Sequence, residues 1–232
     1  MNAIAIVPAR CGSKGFSNKN IAKIEGKTLI EWAIEVAKKS KYITDIYIST
    51  DCKKYEEIAI KAGAKSLGLR AKELATDTAK TKDVVYDLIS KIDNEFDYIV
   101  LLQPTSPIRK GSEIDYMIDN IDDFDATVTI TKVNEPHPYK MKIVEKNMLK
   151  PFIEDSTSEV SRQSLPDVYM LTGAIYLVKY DIFIKEKTFL PKYTKPYIVD
   201  SWTINIDSID DYLLLKAKLD YYNTTMKELL DV

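Results

Sequence analysis

The 232-residue chain fits a single domain with at most an appendage, on a prior of ~150 residues per domain, and its 45% hydrophobic and 29% charged residues are ordinary for a globular protein. Its 33 Lys plus Arg against 35 Asp plus Glu leave a formal charge of -2, which argues against broad electrostatic binding to nucleic acid or to an anionic membrane. Two cysteines, Cys11 and Cys52, cannot build a disulfide framework or a Cys-rich zinc site, and the single histidine, His137, excludes a site with several His ligands.

The N-terminus carries no basic segment ahead of its short apolar run, so it does not read as a signal peptide. No stretch approaches the ~18 apolar residues of a membrane-spanning helix. The expectation is a cytoplasmic, reduced protein without a membrane partner.

In chain order, Asn2 to Val7 is an apolar run ending at Pro8, the pattern of a buried parallel strand. A loop rich in Gly, Ser, Lys and Asn follows through Asn20. Thr28 is placed to cap a helix in which Leu29, Ile30, Ala33 and Val36 or Ala37 share one face. Asp45 to Thr50 reads as a second strand, and Lys54 to Ala62 as a helix closed by Gly63. Ala64 to Leu69 is expected to be a third, weaker strand. Thr81 to Ile92 reads as helix, Tyr98 to Leu102 as the most apolar strand, Gly111 to Ile121 as helix and Ala126 to Thr131 as strand.

From Asn134 the rhythm breaks, and the charged segment to Pro166 is expected to be an inserted arm at about 134–166. Gly173 to Val178 returns to strand, and Ser208 starts the final helix, with Asp210 and Asp211 in its favourable first turn. With no internal repeat or linker, residues 1–232 form one domain. Strands alternating with helices give an α/β fold, an open and mostly parallel sheet with helices on both faces.

In such sheets ligands bind beyond the carboxyl ends of the strands. Three unusual segments fall there: the loop after Val7, Ser49 to Asp51, and Gln103 to Arg109. The first loop holds Arg10, Lys14 and Lys19, with Gly12 and Gly15 allowing close approach of the backbone. Two readings stay open on spacing alone, a polyphosphate cradle and a solvated basic turn. Neither G-x-x-x-x-G-K-[ST] nor G-x-G-x-x-G is present, which weakens the ATPase and dehydrogenase readings together. Thr76, Asp77 and Thr78 are candidates for capping the helix near Lys80, whereas Gln103, Thr105 and Ser106 offer hydrogen bonds on a turn stiffened by two prolines.

Five segments in order carry a resemblance: IVPARCGSKGFSNKNI, LRAKELATDTA, LLQPTSPIR, SRQSLPDVYMLTGAIYL and INIDSIDD. On these the chain resembles the acylneuraminate cytidylyltransferases, also called CMP-sialic acid or CMP-nonulosonic acid synthetases, over essentially its whole length. The related deoxy-octulosonate cytidylyltransferases fit the first loop less well. The resemblance implies a Rossmann-like nucleotidyltransferase sheet, a dimerisation excursion and a homodimer, CTP and an acidic nine-carbon sugar as substrates, and Mg²⁺ as cofactor.

It also implies roles by position. Arg10, Ser13, Lys14 and Lys19 would hold the CTP triphosphate with Ala9 and Asn20 beside them, Lys19 being the most rate-critical. Arg70, Asp77 and Thr78 would enclose the base and ribose. Gln103, Thr105, Ser106, Lys140, Arg162, Gln163 and Thr172 would meet the sugar, some from a partner subunit. The family's acidic pair near the metal reads Asn205-Ile206-Asp207 here, so Asp207 would be the main anchor of Mg²⁺ and Asn205 a neutral oxygen donor.

Two alternatives follow: cytidylyl transfer to another acidic sugar such as a deoxy-octulosonate, and, from Asn205, a non-catalytic nucleotide-binding relative. Intact Arg10, Lys14, Lys19 and Asp207 oppose the last. Tyr169 to Leu171 near the acceptor pocket lean the expectation toward a deoxygenated, diacetamido sugar of the legionaminic type. His137, between two prolines, reads as structural, and no second catalytic domain is expected beyond the final helix.

Overall fold

A computed structural model describes residues 1–12, 15–133, 135–154 and 159–232, with the side chain of Arg162 also outside the description. The elements are β1 (Ala3–Pro8), a two-residue hairpin of β2 (Lys23–Ile24) and β3 (Lys27–Thr28), α1 (Leu29–Lys39), β4 (Ile43–Ser49), α2 (Lys53–Lys61), α3 (Thr81–Ile89), β5 (Tyr98–Leu101), α4 (Gly111–Asp119) and β6 (Ala126–Lys132). A hairpin of β7 (Lys142–Glu145) and β8 (Met148–Pro151) follows. The chain closes with β9 (Tyr169–Lys179), α5 (Tyr180–Glu186), β10 (Thr194–Ile198), α6 (Ile209–Tyr221) and α7 (Met226–Leu230).

Six strands form the central sheet in the order β10-β6-β9-β5-β1-β4. β1 pairs in parallel with β4 and β5, and β10 with β6, while β9 runs antiparallel to both of its neighbours. β1 alternates between two cores: Ala3, Ala5 and Val7 pack with α1 and α4, while Ile4 and Ile6 pack with Val85, Leu88 and Ile89 of α3 and Phe183 of α5. Helices therefore cover both faces, as a strand buried on both sides requires.

The helix starts are chemically specified. Thr28 caps α1 in a reciprocal box with Glu31, and Ser208 caps α6 in the same way with Asp211. Gly63 turns the chain after α2 at φ +100°.

Three expectations are corrected. Ala64 to Leu69 is not a strand: Lys65 makes one bridge with Tyr47, after which Gly68, at φ +92°, turns the chain away from the sheet edge. α3 begins after Lys80 without a side-chain cap, so Thr76 to Thr78 do not cap it. The helix starting after Ser208 is followed by a further short helix, α7.

The turn after β5 is fixed from beneath. Arg109, 2% exposed, donates from one guanidinium nitrogen to the carbonyls of Gln103 (2.7 Å), Ser106 (2.8 Å) and Ala174 (3.0 Å), pinning the turn to β9. Burial pulls its pKa down to about 9. Gly173 lies at φ +76° where the β6–β9 register shifts, and a Cβ there would stand 2.6 Å from Ser106 Oγ and 2.8 Å from Gln103 Oε1. Gly173→Ala is therefore expected to destabilise the fold by about 1–2 kcal/mol, read as a lower urea midpoint with an unchanged slope.

Candidate active site

The loop leaving β1 folds back on itself because buried Asn20 donates from its amide to the Arg10 carbonyl at 3.1 Å. Its start is tied to the neighbouring strand exit by Ala9 N–H on the Ser49 carbonyl (2.9 Å) and Cys11 N–H on Asp51 Oδ1 (2.8 Å). Arg10 and Lys19 consequently face a single cleft of about 180 Å³ at the carboxyl end of the sheet, together with Asn20, Arg70, Asp77, Gln103 and Thr105. Seven residues singled out in the sequence thus meet in one place.

The electrostatics are arranged for an anion. Arg10 reaches Asp77 Oδ1 at 2.6 Å, both side chains being about one-third exposed. The Arg70 side chain is 6% exposed and stands 3.8 Å from Asp51 Oδ1. Burial pulls its guanidinium below the usual range, and its Nε hydrogen has no acceptor within the protein. An unpaired buried donor at a cleft is a place for a ligand oxygen. Leu74, Ala79 and Val84 give the same cleft an apolar wall.

Asp207 comes from the other side of the sheet sequence. Ile206 N–H donates to the Thr105 carbonyl at 2.7 Å, which lays 204–207 beside the turn after β5. Gly15 lets the first loop approach from above, where a Cβ would stand 2.8 Å from the Asp207 carbonyl oxygen. Asp207 Oδ1 then accepts from Lys19 Nζ at 2.6 Å, and Oδ2 from Asn205 Nδ2 at 2.9 Å. Asn205 Oδ1 in turn accepts from Ser106 Oγ at 3.1 Å. Since a carboxylate can only accept, Asp207 fixes which way the Asn205 amide points. Asn205 and Asp207 do share a side, but the Asn205 amide orients Asp207 while its oxygen is engaged by Ser106.

The Asp207 side chain remains 65% exposed. Among the described residues, no three His, Cys, Asp or Glu side chains are grouped to hold a metal ion. This donor set fits a hard cation that takes one carboxylate and completes its shell with water and phosphate oxygens. It does not fit a cation caged by protein alone.

The remaining candidates lie elsewhere. Ser106 and Ala9 are buried and do not line the cleft. Thr78 Oγ1 lies 3.2 Å from Thr76 Oγ1, which lines the cleft. Thr172 turns into the sheet, 2.6 Å from Thr129 Oγ1. Lys140 pairs with Glu135 at 3.5 Å, and Gln163 borders a separate cleft with Lys132 and His137. Ser13, Lys14 and the Arg162 side chain fall outside the described residues. His137 is buried: its Nδ1 accepts from Tyr139 N–H and its Nε2 lies 3.0 Å from the Pro166 carbonyl, a structural role.

Asp51 and the apolar wall escaped the sequence reading. The sequence marks Asp51 only as part of a strand end, and its role follows from the β1–β4 pairing. Leu74 lies inside the LRAKELATDTA segment, so that segment's position was the available signal.

A sequence profile described as cytidylyltransferase matches residues 4–225. The CMP-N,N'-diacetyllegionaminic acid synthase of Legionella pneumophila is 31% identical over 227 residues, covering 95% of this chain and 97% of that protein. The N-acylneuraminate cytidylyltransferase of Escherichia coli is 32% identical over 231 residues, 94% of this chain but 54% of that protein, so the chain spans about half of that relative. Among solved structures, a CMP:2-keto-3-deoxy-manno-octonic acid synthetase complexed with CTP superposes with a TM-score of 0.70 at 16% identity, covering 96% of this chain and 100% of that one. A 4-diphosphocytidyl-2C-methyl-D-erythritol synthase from Anaerococcus prevotii gives 0.66 at 12%, covering 94% and 96%. These two likenesses show the fold alone.

Asp211 anchors the site from behind, accepting from Asp207 N–H (3.0 Å) and from Ser208 N–H and Oγ (2.8 Å each). The Ser208 hydroxyl, more than any other neighbour, holds the Asp211 carboxyl below the usual range. A depressed carboxyl contributes stability that is present above its unfolded pKa and lost as pH falls through the folded value. Asp211→Ala should therefore cost about 1 kcal/mol at neutral pH. In urea melts the gap from the parent is expected to hold down to about pH 4 and to close below it.

Proposed function

The chain belongs to the cytidylyltransferase family, and we propose that it transfers CMP from CTP to the anomeric hydroxyl of a nonulosonic acid, releasing pyrophosphate. It is a nucleotidyltransferase. The observation that carries the reading is the cleft itself: Arg10, Lys19 and the unpaired Arg70 donor face one space at the sheet's carboxyl end, with the exposed Asp207 carboxylate beside them.

Nucleotidyl transfer depends on positioning and on neutralising charge that spreads over the phosphates. Arg10 leaves Asp77 and forks across two phosphate oxygens. Lys14 and Lys19 act as point charges on the departing pyrophosphate. Arg70, Asp77 and Thr78 enclose base and ribose against the apolar wall of Leu74, Ala79 and Val84. Gln103 and Thr105 meet the acceptor sugar. Asp207, held by Asn205, is the residue that would hold Mg²⁺, which supplies charge neutralisation on the phosphate oxygens when bound.

The acceptor carries a carboxylate, for which Lys140, Arg162 and Gln163 of the arm are the cationic and polar partners. Supporting a homodimer that brings this arm to a neighbouring cleft, β7 and β8 expose apolar side chains, with Val144 73% and Leu149 70% exposed. The exposed Tyr169, Met170 and Leu171 at the start of β9 support an acceptor of the legionaminic type, and relatives named for both legionaminic and neuraminic acids match at similar identity. A cytoplasmic setting, where CTP is made, completes the reading. Among the described residues, no helix is long and apolar enough to cross a membrane.

The test is pyrophosphate release with CTP and Mg²⁺, offering N-acetylneuraminic, diacetyl-legionaminic and deoxy-octulosonic acids in parallel. Release dependent on a nonulosonic acid is expected, fastest with the legionaminic acid, and Lys19→Met should lower kcat/KM by about 100-fold. Release with the deoxy-octulosonic acid alone would reassign the acceptor, and none with any sugar would defeat the proposal.

A further inference from the structure

The chain has two cysteines, and the fold brings them together at the strand exits next to Arg10, which lines the cleft. β1 and β4 are parallel, with Pro8 opposite Ser49. Continuing both strand exits in that register sets Cys11 opposite Cys52. Neighbouring strands lie ~4.8 Å apart, inside the ~4.4–6.8 Å range of Cα separations that a disulfide spans. The register is held past the strand ends by Ala9 N–H on the Ser49 carbonyl and by Cys11 N–H on Asp51 Oδ1. The two side chains are neighbours, near enough for each to bear on the other's charge. Both are free thiols and partly exposed.

Their surroundings connect them to the catalytic groups. Cys11 directly follows Arg10. The buried Tyr55 hydroxyl contacts Cys11 and donates to Asn18 Oδ1 at 3.0 Å. Asn18, at φ 57°, precedes the single helical turn that carries Lys19. A covalent tie between Cys11 and α2 would therefore act on the loop at Arg10 and at Lys19.

We propose that Cys11 and Cys52 form a thiol–disulfide exchange site that takes a small-molecule disulfide and, when oxidised, weakens nucleotide binding. Burial, and after it the neighbouring Cys52, pushes the Cys11 thiol up. Cys52, the N-cap residue of α2 with no side-chain cap bond, is the sulfur that opens the exchange. Its thiolate attacks one sulfur of the small disulfide and releases the first small thiolate. Cys11 gives up its proton and attacks the Cys52 sulfur of the mixed disulfide, releasing the second. Two electrons pass from the protein dithiol to the small disulfide, and the two protons end on the two small thiols released. In a reducing compartment such a bond is transient, as a sensing role needs.

The experiment treats the full, reduced chain with oxidised glutathione, maps peptides without reduction, and titrates CTP before and after. The nucleotide half of the test rests on the cytidylyltransferase reading. A Cys11–Cys52 cross-link is expected, with CTP affinity reduced about tenfold or more, the scale on which misplaced positioning groups act. Dithiothreitol should restore it. Cys52→Ser and Cys11→Ser should each keep the reduced protein's affinity and form no cross-link, Cys11→Ser stopping at the Cys52–glutathione mixed disulfide. Glutathione adducts without a cross-link would overturn the exchange site, and a cross-link with affinity within about twofold of the reduced protein's would overturn the coupling. A reduced protein that binds no CTP would contradict the nucleotide reading instead, while the peptide map would still decide the exchange site.

Discussion

One ion pair joins the two ends of the site: Lys19 Nζ and Asp207 Oδ1, 2.6 Å apart in space and 188 positions apart in sequence. As a source of stability it is worth little, since a pair with a largely exposed carboxylate contributes about 0–1 kcal/mol. Its consequence is placement. It closes the loop after β1 over the segment before α6, and both strands of that contact are independently pinned, by Asn20 on the Arg10 carbonyl and by Ile206 on the Thr105 carbonyl. The missing Cβ of Gly15 is what lets the two backbones meet. Among the described residues, Arg10, Lys19 and Arg70 of the cleft each stand beside a carboxylate, so on the proposed function a triphosphate would compete for cations already in position.

Asn205 shows how a departure from a motif is absorbed. Two aspartates flanking one apolar residue would repel each other without a cation between them. With Asn205, the amide donates to Asp207 and passes the tie on to Ser106, which Gly173 and Arg109 hold from below. The site keeps one negative side chain at that point and balances it with Lys19. The geometry of Asp207 is set by its hydrogen bonds to Asn205 and Lys19.

Much of this was legible in the sequence because it is local or periodic. Strand β1, the Thr28 and Ser208 caps and the helix faces follow from spacing and capping chemistry alone. The meeting of Arg10, Lys19 and Gln103 follows from a rule about strand ends, whereas Arg70 comes from the resemblance alone. What spacing could not show was pairing across the chain. The antiparallel run of β9 in a parallel sheet, the inward turn of Thr172 onto Thr129, and the Arg10–Asp77 pair all depend on which strand lies next to which. Ala64 to Leu69 misled for the opposite reason, since a strand-like composition was overruled by Gly68 at positive φ.

The most direct test of the shared placement is a double-mutant cycle in CTP affinity, by calorimetry with Mg²⁺ present, over the parent, Lys19→Met, Asp207→Asn and the double variant. If the two groups act as one arrangement, the losses will not add, and a coupling of about 1 kcal/mol or more is expected. Losses that add to within about 0.3 kcal/mol would mean that Lys19 and Asp207 serve the nucleotide separately, contradicting the account.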